Sequence, residues 1–212
     1  MKTISVFILL AVISCNKRMQ QPIVDHSKNG KSETRASQEK SVDSVYKNWI
    51  AYYVNHDKHF RPDAIKNLGE SDFDADREGG TVPVYEADFD KIYTPFLIYN
   101  PSRTRYLDFE NWVLDDDGNA GFDVDQELNL VDLKTKKVKK IAFYGSYYWV
   151  EDAYWKNDDV FVTLENNYDH VLNKSEYNLK THKMTNYQFV DTLNFVSEYT
   201  QERLKRHGIK TE

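Results

Sequence analysis

The clearest periodic pattern in the chain lies between residues 42 and 53. Apolar side chains recur there at intervals of three and four residues, which places them on one face of an α-helix. They are Val42, Val45, Tyr46, Trp49, Ile50 and Tyr53. The pattern predicts an amphipathic helix near the start of the folded part of the chain.

A second helix is predicted near the end of the chain. Asp191 or Thr192 can cap its first turn, and the basic run that precedes Gly208 is typical of a helix's last turn. The apolar positions between these ends are Leu193, Val196, Tyr199 and Leu204. We therefore expect amphipathic helices at both ends of the domain.

Between the two helices the pattern is that of β-strands. The segments 96–109, 128–143 and 175–189 each hold an alternating apolar run, an Asn or Asp, a polar turn and a second alternating run. This arrangement is typical of β-hairpins. The shared positions are Asn100, Asp132 and Asn178. They predict antiparallel hairpins of one design, and a mainly β fold of the α+β class.

The hairpins resemble parts of a β-propeller. The segment 150–167 looks like the strand pair that opens a blade, and the segment 175–189 looks like the pair that closes it. The interval from Asp132 to Asn178 is similar to the length of one blade, which is about 40 to 50 residues. At least four blades are normally needed to close a ring, and this chain has fewer such units. The resemblance implies a partial, propeller-like antiparallel sheet covered by helices.

The first 15 residues have the pattern of an export signal. Lys2 precedes an almost uninterrupted apolar run from Ile4 to Ile13. A run of about ten residues is too short to span a bilayer, which takes about 20. The run is followed by Ser14 and by Cys15, the only cysteine of the chain. The alternative is a chance thiol beside an ordinary secretory cleavage site.

Val12, Ile13, Ser14 and Cys15 together resemble a bacterial lipobox. The resemblance implies a lipoprotein signal peptide over residues 1–14 and attachment of lipid, palmitate included, to Cys15. Asn16 at the next position implies the outer membrane rather than the inner membrane, and it leaves open which leaflet or face of that membrane the protein occupies. The expected partner of this end of the protein is the membrane itself.

Residues 15–40 are predicted to form a lipidated flexible tether. They contain no aromatic residue and scarcely any apolar one, so they cannot bury enough surface to offset the entropy of ordering. We assign the remainder, residues 41–212, to a single β-rich globular domain with flanking helices. Its 15 Tyr, 11 Phe and 4 Trp favour strands, on whose pleated surface aromatic rings pack well.

The net charge of the chain indicates which class of partner the protein does not bind. The chain has 28 Lys and Arg against 34 Asp and Glu, a net charge of −6, which argues against general binding of nucleic acid. A local exception is the lysine-rich stretch 134–140, where edge lysines also discourage aggregation of strands. We interpret it as a solvated hairpin tip, and an anionic partner such as lipid head groups is the alternative.

Two groups of residues have the composition of metal sites. Asp115, Asp117, Asn119 and Asp123 have the alternate spacing with which a loop surrounds calcium. Compared with an EF-hand, however, Ala120 replaces the required Gly and Gln126 replaces the bidentate Glu. A polar turn is our first interpretation and a weak calcium site is the alternative. His56 and His59 could form half of a metal site, and we interpret them as loop residues. No other cofactor is predicted.

The sequence contains no Gly-x-Ser-x-Gly elbow and no phosphate-binding glycine loop. Carboxylate chemistry is the one catalytic alternative. Glu151 and Asp152 stand close to Trp149 and Trp155, an arrangement that could stack a sugar ring and supply an acid and a base. The competing interpretation is that these aromatics pack in the core of a sheet.

We therefore expect a non-enzymatic, outer-membrane-anchored lipoprotein whose β-rich domain binds a macromolecule, as an assembly factor, an inhibitor or an immunity-type protein would. The first alternative is an envelope protein that binds or cleaves carbohydrate. The second is a calcium-stabilised binding module. The sequence identifies neither the partner nor the oligomeric state.

Overall fold

The computed structural model describes residues 44–80, 82–86 and 89–211. The predicted signal peptide and the predicted tether, with Cys15, lie outside these ranges. Within them the chain is mainly β, its strands pair almost entirely in antiparallel fashion, and they do not close into a barrel. The predicted fold class is confirmed at this level. Of the helices that the structure describes, none is long and apolar enough to cross a bilayer.

The described elements follow one another in a simple order. Helix α1 covers residues 44–56, and a 3₁₀-helix (Lys91–Phe96) and helix α2 (Tyr199–Arg206) come later. The strands are β1 (Ile65–Asp72), β2 (Ile98–Tyr99), β3 (Arg105–Asp108), β4 (Trp112–Leu114), β5 (Asn119–Phe122), β6 (Gln126–Asp132), β7 (Lys137–Tyr144), β8 (Tyr148–Asn157), β9 (Val160–Asn167), β10 (Val171–Asn178), β11 (Lys183–Thr192) and β12 (Lys210–Thr211).

These strands form three sheets. The largest has the order β1-β11-β10-β9-β8, the second has the order β2-β3-β6-β7, and the smallest has the order β12-β5-β4. All pairs are antiparallel except β12 with β5. The two larger sheets pack on each other through a shared apolar cluster, in which Leu107 and Leu128 meet Trp155 and Phe161. One of the two large apolar clusters of the domain therefore lies between these sheets.

Helix α1 covers part of the largest sheet. Its buried side chains Trp49, Tyr52 and Tyr53 are three and four residues apart, so they lie on one face. They pack against Leu164 of β9 and Phe189 of β11. Burial of large aromatic side chains contributes much of the stability of such a contact, and α1 therefore forms a third layer over the sheet.

The three predicted hairpins form as β2 with β3, β6 with β7 and β10 with β11. The shared Asn or Asp has the same task in each, because its side-chain Oδ1 accepts backbone N–H groups of the turn. Asn100 accepts from Thr104 and Arg105, Asp132 accepts from Lys134 and Thr135, and Asn178 accepts from Lys180 and Thr181. The recurring residue is thus a turn signal, which explains its presence in all three segments.

The predicted start of the second helix is wrong. Helix α2 begins at Tyr199, and its N-cap residue is Glu198. Thr192 is the last residue of β11, and the Asp191 carboxylate instead accepts from Arg61, at 2.6 Å from its Nη2. Leu193 is buried against helix α1 and its neighbours. These long-range contacts hold residues 193–198 out of the helix.

The lysine-rich hairpin of β6 and β7 lies against an acidic segment. Nζ of Lys137 is 2.5 Å from Glu78, and Nζ of Lys139 is 2.5 Å from Asp76. The same hairpin has two further ion pairs, Lys136 with Glu86 and Lys140 with Glu127. Most of its positive charge is therefore compensated within the domain.

Candidate functional site

Strand β8 has a β-bulge at Glu151. Its neighbours Val150 and Asp152 pair with the consecutive residues Glu165 and Leu164 of β9, so Glu151 is an extra residue. A bulge of this kind turns two successive side chains towards the same side of a sheet. Here both carboxyl groups point at the helices, whereas Val150 belongs to the core between the sheets.

Glu151 is the centre of a buried hydrogen-bond network. It is 1% exposed and accepts hydrogen bonds from four side chains. The donors are Trp49 Nε1 at 2.8 Å, Tyr53 OH, Asn166 Nδ2 at 3.2 Å and Ser197 Oγ at 2.9 Å. Burial raises the pKa of the Glu151 carboxyl, and the bonds from Tyr53 and Trp49 act in the opposite direction. This carboxyl joins β8 to helix α1.

Asp152 makes the corresponding link to helix α2. Its Oδ2 accepts from Tyr199 OH at 2.8 Å, and its Oδ1 accepts from the backbone of Ala153 at 2.9 Å. Burial raises the pKa of Asp152, while the charge of Arg203 lowers it. Arg203 is itself buried and paired with Glu110 at 2.8 Å. The two carboxyls that were candidates for acid and base thus lie in the interior.

The two tryptophans of the predicted sugar site are placed differently. Trp155 is 2% exposed, lies between the two larger sheets and donates from Nε1 to the carbonyl of Ile98 at 2.8 Å. Trp149 is half-buried and lines a surface groove. The structure therefore does not assemble Trp149, Glu151, Asp152 and Trp155 into one site. Trp155 belongs to the core and is not on a surface that a ligand can reach.

The groove beside Trp149 has a volume of about 390 Å³. We call it the aromatic groove, because Phe122, Tyr148, Trp149 and Tyr168 line it. Three of these rings come from loops or strand ends and are well exposed, at 40% for Phe122, 41% for Tyr148 and 72% for Tyr168. Polar side chains from the start of helix α2 and the segment before it complete the lining, namely Ser197, Thr200 and Gln201.

A second groove of about 390 Å³ adjoins the first. We call it the acidic groove, because its lining includes Glu110, Asp123, Asp125 and Glu127. Asn111 and Asp123 line both grooves. Exposed apolar side chains also line the acidic groove, among them Val113, which is 66% exposed, and Phe143, which is 56% exposed. Neither groove is lined by a Lys, Arg or His among the residues that the structure describes.

Three of the four predicted calcium ligands lie at the tip of the β4–β5 hairpin. The Asp115 carboxylate accepts backbone N–H groups of Asp117 at 3.0 Å and Asn119 at 2.7 Å. These bonds hold the pKa of Asp115 below its ordinary value. Asp123 lies beyond β5, in the lining of the two grooves. The structure uses Asp115 to close a turn, and Asn119 donates to it from its side chain.

The two histidines at the end of helix α1, His56 within it and His59 just beyond it, make separate local contacts. His56 Nδ1 lies 2.8 Å from the carbonyl of Tyr52, and the His59 ring lies 3.4 Å from Asp57. Asp57 also accepts from the backbone of Asn194 at 3.1 Å. No group of three or more His, Cys, Asp or Glu side chains suited to a metal ion occurs in the described ranges.

The sequence-based prediction missed Tyr168 and Phe122 as surface residues. Tyr168 stands in the polar turn between β9 and β10, and an aromatic residue in a turn has no strand partner to pack on. Its position in a turn could therefore have predicted that Tyr168 is exposed. The sequence contains no such signal for Phe122, because this residue continues the alternating pattern of β5.

Comparison with known proteins gives no relative for this chain. No protein-family model matches it, and neither a curated protein nor a solved structure shows significant similarity to it.

Proposed function

We propose that this protein is a non-enzymatic binding module that engages another macromolecule through the aromatic groove. One observation carries the proposal, namely that Phe122, Tyr148 and Tyr168 expose large parts of their rings around a single concavity. Exposed apolar surface that is contiguous and rimmed by polar groups is typical of interaction sites. Tyr and Trp are also the residues that contribute most often to binding energy at interfaces.

The positions of the carboxyl groups support binding rather than hydrolysis. A general acid or base must reach the bond that it acts on. Glu151 and Asp152 are turned towards the helices, and their oxygens accept hydrogen bonds from the protein itself. Because these carboxyl groups are turned inwards, we favour a binding function over a catalytic one.

We further propose that the binding domain is held at the cell envelope. The lipobox-like pattern that ends at Cys15 supports a lipid anchor, and Asn16 supports the outer membrane. The polar residues 15–40 would then hold the domain at a distance from the lipid surface. A coil of this length has a typical end-to-end distance of about 25 Å.

A glycan is the second candidate ligand. Tyr148 and Trp149 offer ring faces next to the hydroxyl and amide groups of Ser197 and Gln201. Stacking on aromatic rings combined with hydrogen bonds from polar neighbours suits a sugar. This alternative needs no acid and base, since it requires binding alone.

For the fold, we propose that the segments 96–109, 128–143 and 175–189 are copies of one propeller-like unit, covered by the helices at the two ends of the domain. The shared use of Asn100, Asp132 and Asn178 in their turns supports a common design.

The test compares a groove variant with a matched control. The groove variant combines Tyr148→Ala with Tyr168→Ala, and the control combines Leu68→Ala with Val190→Ala, two exposed apolar residues outside both grooves. Solubilised envelope proteins and an array of glycans are offered to each form of the protein. We expect the groove variant alone to lose at least tenfold in binding, with an unchanged circular dichroism spectrum.

The assay in which the groove variant loses binding distinguishes the two candidates. If the ligand is a protein, the variant no longer captures it from the envelope proteins, and if the ligand is a sugar, the variant no longer binds it on the glycan array. Equal binding by the wild type and the groove variant in both assays would refute the proposal.

A further inference from the structure

We infer that the occupant of the aromatic groove is a positively charged protein segment, one that carries Lys or Arg side chains beside apolar residues. The inference rests on the proposed binding function and specifies the chemistry of its partner. Its basis is the distribution of uncompensated charge around the two adjoining grooves.

One segment lines both grooves, and its charged residues are all acidic. Residues 110–127 contain seven Asp or Glu and no Lys or Arg. Two of the seven, Glu110 and Glu127, are paired with Arg203 and Lys140. The other five are exposed, and none has an ion-pair partner in the part of the chain that the structure describes. They are Asp115, Asp116, Asp117, Asp123 and Asp125.

The acidic segment 70–78 differs, because four of its five carboxylates, all except Asp74, have an ion-pair partner among the described residues. In the segment 70–78, Asp76 and Glu78 are paired with Lys139 and Lys137. Glu70 and Asp72 are both paired with Lys183, at 3.7 and 2.7 Å. Of these two acidic segments, uncompensated negative charge is therefore concentrated in residues 115–125, and Asp123 and Asp125 of this stretch line the grooves. No Lys, Arg or His of the described residues lines either groove.

This combination of groups matches a cationic peptide segment in three ways. The carboxylates attract Lys and Arg over about 8 to 10 Å at physiological salt. The faces of Tyr148 and Trp149 are suited to bind a cation. The apolar lining can cover the aliphatic stems of such side chains and their apolar neighbours. Anionic lipid head groups and acidic polysaccharides are disfavoured by the same charges.

The two grooves also form a continuous path. Asn111 and Asp123 line both of them, and each groove has one exposed phenylalanine ring, Phe122 in the aromatic groove and Phe143 in the acidic groove. A short extended or helical segment can therefore place apolar side chains in the aromatic groove and basic side chains at Asp123 and Asp125. Charge complementarity of this kind raises the rate of association and selects the partner.

The inference is tested with three synthetic 12-residue peptides, in which Leu alternates with Lys, with Glu or with Ser. Their binding to the full protein is measured by fluorescence anisotropy in low and moderate salt. The charge variant combines Asp123→Asn with Asp125→Asn. The matched control combines Asp63→Asn with Glu70→Gln, exposed carboxyls outside both grooves.

We expect the Lys peptide to bind at least tenfold more tightly than the Glu and Ser peptides. The charge variant should weaken this binding about tenfold, and the control should leave it within twofold of the wild type. A threefold rise in salt should weaken it severalfold. Tyr148→Ala with Tyr168→Ala should weaken it as well, because the same groove supplies the apolar contacts.

Three outcomes would overturn the inference. One is equal weakening by the charge variant and the control, which would indicate unspecific attraction. Another is binding of the Ser peptide as tight as that of the Lys peptide. The third is an envelope partner whose capture requires Tyr148 and Tyr168 but withstands high salt and the charge variant. The second and third outcomes would refute only the positive charge of the partner and would leave binding in the groove intact. Binding that is unchanged by Tyr148→Ala with Tyr168→Ala would instead refute the proposed function itself.

Discussion

Asp108 is a carboxyl group placed where little water can reach it. It is 7% exposed, and its Oδ1 accepts from the backbone of Glu110 at 3.1 Å. Burial raises the pKa of Asp108 to about 7. Between pH 4 and 7 the folded protein therefore keeps a proton that the unfolded chain has lost. The stability that this proton contributes is present below the unfolded pKa and disappears as the pH rises through about 7.

We predict that Asp108→Asn stabilises the protein at pH 8 and has little effect at pH 4. Raising a carboxyl pKa from 3.8 to about 7 costs the folded state on the order of 4 kcal/mol above pH 7, and a neutral amide of the same shape avoids that cost. Urea unfolding of both proteins across this pH range gives the free energies of unfolding. Parallel pH profiles for the two proteins would contradict the prediction.

Gly80 lies where two side chains leave no room for a Cβ atom. A Cβ added there would overlap with Asn129 Oδ1 and Val138 Cγ1. We predict that Gly80→Ala lowers the free energy of unfolding by about 1 to 3 kcal/mol, the range for overpacking. Gly145→Ala is the matched control, because a Cβ at Gly145 meets nothing within 4 Å. An equal change in melting temperature for the two variants would show that the contact at Gly80 is unimportant.

At the scale of elements, the bulge in β8 determines how helix α1 is attached. Trp49 and Tyr53 project from α1 into the sheet and donate to Glu151, which the bulge turns towards them. Buried donors are costly when their acceptor is lost. The contact between helix and sheet is therefore polar at its centre and aromatic around it.

We predict that Glu151→Ala lowers the free energy of unfolding by about 3 to 5 kcal/mol, because three buried donors and the half-buried Ser197 lose their acceptor at once. Glu202→Ala is the control, since Glu202 is exposed on helix α2. Chemical unfolding followed by tryptophan fluorescence measures the effect. A loss below 1 kcal/mol would mean that water or other side chains replace the acceptor.

The elements differ in how far local sequence determines them. The three hairpins were predictable, since Asn100, Asp132 and Asn178 fix their turns through residues at most five positions away. The start of helix α2 was not, because Asp191 is engaged by Arg61 from the other end of the domain. The network at Glu151 joins Trp49 to a residue 102 positions away. Local patterns contain no information about such contacts.

At the scale of the whole molecule, the candidate site is a product of several distant segments. The aromatic groove takes Phe122 from β5, Tyr148 from β8 and Tyr168 from the turn after β9. The sequence indicated that Trp149 stood among aromatics, yet it could not separate exposed rings from the buried Trp155. Their separation depends on how the sheets stack.

The attachment of the whole molecule to the membrane is predicted to depend on one side chain. Cys15→Ser should abolish incorporation of labelled palmitate and move the protein from the membrane fraction to the soluble fraction, because serine offers no thiol for the lipid. Ser14→Ala is the control, as it keeps a small residue before the cysteine. Membrane association of the Cys15→Ser protein equal to that of the wild type would refute the lipid anchor.

The extra residue in β8 has a consequence for insertions and deletions. Val150 pairs with Glu165 and Asp152 pairs with Leu164, so a chain without residue 151 could keep every other pair of the two strands in place. Loss of that one codon would leave the sheet in register and remove the acceptor that holds helix α1. Chain length at this position, and not only side-chain identity, therefore controls whether the helix layer is joined to the sheet.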